Sequence, residues 1–72
     1  MQIPVIKKIT EAYSLVELQK AEAALYEEQI PEIEIEGKDE GEQLTHVLAA
    51  IFILEYMAEN GVDLKTALRE YT

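Results

Sequence analysis

The chain has no cysteine, no tryptophan, two prolines, three glycines, one histidine and only six basic residues in 72. Without cysteine there is no disulfide framework, no thiol nucleophile and no zinc–thiolate site. Six Lys and Arg against fifteen Asp and Glu leave a formal charge of −9. That sign argues against nucleic-acid binding, which rests on neutralising phosphates with basic side chains. It argues equally against a basic helix lying on a membrane surface. No glycine-rich phosphate loop and no Ser–His–acid order appears. The many carboxylates are exposed by composition, and exposed acids keep ordinary pKa values that suit acid–base catalysis poorly. A chain of this length makes one domain, read as a single helical domain over residues 1–72. With no disulfide and no secretory leader, the simplest location is the cytoplasm.

What is present is one long apolar stretch. Val47 to Leu54 is apolar without a break, preceded by acids and closed by Asn60-Gly61. A run of this length fits a helix better than a strand. Asn60-Gly61 is a stop signal, since both residues tolerate the left-handed conformation past a helix end. The run is too short for a membrane span, which needs about 18 apolar residues. A helix apolar round most of its circumference must be buried on all sides. The remaining chain is short, and a domain of this size buries only about 60% of its unfolded surface. The expectation is a homodimer, with copies meeting along Val47, Ala50, Ile51, Leu54 and Ala58 about a two-fold axis.

The flanking segments read as shorter helices. Pro4 suits the first turn of a helix, and Ile6, Ile9 and Tyr13 follow at helical spacing, which predicts a helix from about Pro4 to Ala12. A short strand over residues 3–6 is the competing reading. Ser14-Leu15-Val16-Glu17 is a capping box that opens a second helix running to about Glu28. Whether the first two helices are continuous or kinked at Ser14 stays open. Pro31 ends the second, because proline disfavours helical geometry in the residue before it. Glu32-Ile33-Glu34-Ile35-Glu36 then alternates as a half-buried strand does. The alternative is an extended segment whose Ile33 and Ile35 plug gaps between helices. Asp63 is an N-cap candidate for a last helix, whose Leu64, Ala67, Leu68 and Tyr71 keep the i, i+3, i+4, i+7 rule. The fold class is all-α, a small bundle of three to four helices around the apolar one, with a short extended or strand segment near 32–36.

This order of parts resembles a group of short, acidic, uncharacterised bacterial helical proteins, a domain of unknown function. The match lies in the opening Pro4-Val5-Ile6-Lys7, the apolar helix, the Gly turn and an amphipathic tail like Lys65-Thr66-Ala67-Leu68. It covers most of the chain. It implies a small helical protein and supplies no activity, cofactor or site residue.

Two constellations point to binding. From Glu27 to Glu42 there are eight acids and one lysine, a local charge of −7. Glu32, Glu34 and Glu36 would face a basic protein partner, although a solvated, solubilising face is the plainer reading. The spacing does not fit a calcium loop, which needs oxygens at fixed positions around a glycine. His46 follows Glu42 by one helical turn, and a carboxylate and an imidazole at this spacing can share a metal, with Asp39 or Glu55 assisting. Di-iron bundles instead use Glu and His three apart, and Gln43 stands at that position. The leading expectation is a non-enzymatic protein that self-associates and offers an acidic surface. The alternative is a small metal-binding bundle on Glu42 and His46.

Overall fold

Short polar side chains set three of the four helix starts. Ser14 Oγ accepts from the Glu17 amide (3.2 Å), and the Glu17 carboxylate accepts in return from the Ser14 amide (2.9 Å). Asp39 accepts from the Glu42 amide and Asp63 from the Thr66 amide, each at 2.8 Å. These bonds satisfy amides that have no partner within a helix. They delimit the four helices of the computed structural model, which describes residues 2–72: α1 (Ile3–Ala12), α2 (Leu15–Tyr26), α3 (Glu40–Asn60) and α4 (Leu64–Tyr71). The capping box breaks α1 from α2 at Ser14. Pro4 lies in the first turn of α1, so the N-terminal stretch is helix and not strand. Gly61, at φ +62°, closes α3 and donates its amide to the Met57 carbonyl at 2.9 Å.

α3 packs against each of the other three helices. Ile9 of α1 and Leu18, Ala21 and Leu25 of α2 close over Val47, Ala50 and Ile51. On another side, Ile6 of α1 and Ala67 of α4 close over Ala49 and Ile53. Ile6, Leu18, Val47 and Ile53 lose all exposure. Ala50 belongs to the first of these clusters and Ala49 to the second, so two sides of the rod are covered by its own chain. No helix among the described residues is long and apolar enough to cross a membrane.

One expectation is corrected here, and one choice left open by the sequence is decided. Val47, Ala50 and Ile51, read as a self-association face, are buried by their own chain, while Leu54 is half-buried and Ala58 exposed. The large side chains that α3 leaves exposed are Leu48 (39%) and Phe52 (49%), about a third of a turn further round the helix. Residues 32–36 form no strand, and there is no strand among the described residues. The chain bends at Glu32 and Ile33. Ile35 is buried in the α1–α2–α3 cluster and Ile33 half-buried against it. The alternation therefore records two plugs, not a ladder.

The end of α2 carries a conformational cost. Glu28 lies in the left-handed region at φ 58°. Its amide reaches the Leu25 carbonyl (3.1 Å), and the Gln29 amide reaches the Ala24 carbonyl (2.8 Å), the paired bonds of a Schellman end. Glycine is the usual residue at that position, because a Cβ there crowds the following carbonyl. Glu28→Gly is expected to raise stability by about 0.5–1 kcal/mol. A urea titration checks this through a higher midpoint at unchanged slope.

Candidate functional site

The segment after Pro31 returns to the start of α3, where three side chains grip its backbone. Gln43 Nε2 donates to the Ile35 carbonyl (3.1 Å), and the Lys38 amide donates to Glu42 Oε1 (2.9 Å). His46 takes the Glu36 carbonyl at 2.8 Å through Nδ1. Residues 35–38 thus form a strap across the first turns of α3. The Lys38 amide holds the Glu42 carboxyl below the usual carboxylate range, since a hydrogen bond to the charged form favours it.

His46 is fully buried. Its Nε2 accepts from the Gln2 backbone amide at 3.0 Å. An accepting Nε2 carries no proton, so the proton of the neutral ring is on Nδ1 and donates to Glu36. One ring therefore joins the N-cap residue of α1, the strap and α3. The metal reading of Glu42 and His46 does not fit this geometry. Both imidazole nitrogens are engaged by backbone, and a metal at Nε2 would displace the Gln2 amide. Glu42 is engaged at Lys38, Asp39 caps α3 through Oδ1, and Glu55 lies about two and a half turns beyond His46 on the far half of the helix. Among the described residues, no group of three or more His, Asp or Glu side chains converges as metal ligands do.

The acidic side chains divide into two sets. Glu36 pairs with Lys8 at 3.1 Å, both exposed, and its hydrogen bond and charge raise the Lys8 ammonium pKa. Glu32 and Glu34 are exposed, as are Glu27 and Glu28 at the end of α2. The open acidic surface is therefore centred closer to residue 30 than the 32–36 alternation implied. Amid these acids stands Ile30, 94% exposed. It has no place in the α2 stripe, and its position just before a proline was the signal available for it. Two open clefts flank it. One, of about 480 Å³, has Leu25, Ile33 and Ile35 among its walls together with Glu28, Glu32, Glu34 and Glu40. The other, of about 390 Å³, lies against Ala21, Ala24 and Lys20 of α2.

A second apolar surface lies on α3. Phe52 stacks on Tyr56 (6.1 Å between centroids) and tilts against Tyr71 of α4 (5.4 Å), yet keeps half its surface open beside Leu48. Thr45, Leu48, Phe52, Glu55 and Glu59, all exposed, recur at alternating three- and four-residue steps, the spacing of a coiled-coil seam.

Neither a curated protein nor a solved structure matches the chain. One family model does, over residues 1–72, and its description is a family of unknown function, DUF6952. The chain belongs to that family.

Proposed function

We propose that this is a non-enzymatic cytoplasmic protein that self-associates through the open side of α3 and offers an acidic surface to a protein partner. The observation that carries the reading is the Leu48–Phe52 pair, exposed on the helix that organises the bundle. The seam has a symmetry of its own. In an antiparallel pair centred on Ala50, Leu48 meets Phe52 of the second copy, Thr45 meets Glu55, and Gly41 meets Glu59. Bulky side chains then pack at the middle, and small residues receive the long acids at the ends. A parallel pair would set Glu55 against Glu55 and Glu59 against Glu59, which repel. The patch is small and each copy carries −9, so the dimer is weak and tightens with salt, which screens like charge.

Light scattering or sedimentation at tens to hundreds of micromolar in raised salt tests this. The chain is expected at twice its 8.2 kDa mass. Phe52→Glu is expected at the monomer mass, and Ala58→Glu, about a third of a turn round the helix from Phe52, at the dimer mass. A wild-type chain at 8.2 kDa throughout that range would overturn the reading.

A further inference from the structure

We infer that the cleft beside Ile30 is a docking groove for a basic segment of a partner protein that carries an apolar anchor. The inference rests on the acidic-surface reading above and gives it a location and a partner chemistry. Charge and shape coincide at this cleft. The cleft of about 480 Å³ has an apolar floor, with Leu25 and Ile35 buried and Ile33 half-buried, and a rim of Glu28, Glu32, Glu34 and Glu40. Ile30 forms one wall and is almost wholly exposed. An exposed isoleucine of this kind normally gains by being covered, and its position here is held. The paired bonds at the end of α2 fix the chain just before it. Pro31 follows directly, and the gripped strap begins at Ile35.

Charge decides the occupant. Residues 27–36 hold five acids and no base, and the one ion pair of this stretch among the described residues is Glu36 with Lys8. A second copy of the chain would bring the same acids to the groove. A partner with Lys or Arg on either side of a Leu, Ile or Phe satisfies both rim and floor. The apolar contact gives affinity and the charges give rate and selectivity.

The test uses two synthetic peptides of equal positive charge, an amphipathic Leu/Lys helix and a plain oligolysine, titrated into the full chain by fluorescence anisotropy. The Leu/Lys peptide is expected to bind at least tenfold tighter than oligolysine. Ile30→Ser, at a residue outside the core, is expected to reduce that advantage to less than threefold. Phe52→Glu should keep it, because the α3 seam is a separate surface. Equal binding of both peptides, unmoved by Ile30→Ser, would overturn the groove while leaving a general acidic surface standing. Binding of neither peptide would overturn both. Loss of the advantage in Phe52→Glu alone would move the site to α3 and overturn the inference. So would a fall in wild-type mass caused by Ile30→Ser, since a second copy would then be the occupant.

Discussion

His46→Ala is expected to remove about 3 kcal/mol or more of stability and to lower the melting temperature by roughly 15 °C or more. A domain of this length has a total of only about 4–11 kcal/mol, so the variant retains a small margin. Three losses add. The buried ring leaves a cavity. The Gln2 amide loses its acceptor and the Glu36 carbonyl loses its donor. His46→Phe separates these effects, since it fills the volume and restores neither bond. It should recover about half of the loss. Thermal denaturation followed by circular dichroism gives both numbers. A loss under about 1 kcal/mol for His46→Ala would show that neither bond holds the fold.

Gly37→Ala is the second large effect, at about 2 kcal/mol. Its cause is space and not backbone conformation, because Gly61 is the positive-φ glycine here. A Cβ on Gly37 would lie 2.8 Å from both the backbone nitrogen and Cγ of Gln43, and 3.2 Å from its Cα. The side chain can swing away but the backbone of α3 cannot. The strap must therefore lift, and lifting it strains the bonds from Gln43, Glu42 and His46 together. Gly41→Ala is the control. Its Cβ would meet only Asp39 Oδ1, at an ordinary 3.4 Å, and alanine is the better helix former by about 1 kcal/mol. Chemical denaturation of the two variants should move in opposite directions. Equal stability of Gly37→Ala and the wild type would mean that the strap sits loosely on α3.

Much of the fold was legible because its signals are local. The Ser14–Glu17 box, the Asp63 cap, the Asn60-Gly61 stop and the proline positions act within one turn of the chain, and each stands where its spacing put it. What the residues did not disclose was contact between distant segments. His46 and Glu42 share a spacing with metal ligands, but that spacing is also what lets two side chains of one helix reach a strand of backbone crossing it. Only the return of residues 35–38 tells the two apart. The side of α3 facing outward was misread for a related reason. A helix with apolar residues on every side has no pattern to show which one its neighbours leave open. The neighbours' stripes are narrow, yet they cover Ala49 and Ala50 on two sides of the rod. The small set of exposed large apolar residues, Leu48, Phe52 and Ile30 among them, could be recognised only after the others had been assigned to a core.

The imidazole of His46 ties Gln2, 44 positions before it in sequence, to Glu36, in a loop that has no regular structure of its own. Two elements held by one ring come loose in one event, so the opening of the α1 start and the release of residues 35–38 are thermodynamically coupled. Whatever steadies one of them steadies the other. A ligand held near Ile30 would then be felt at the beginning of the chain, without touching it.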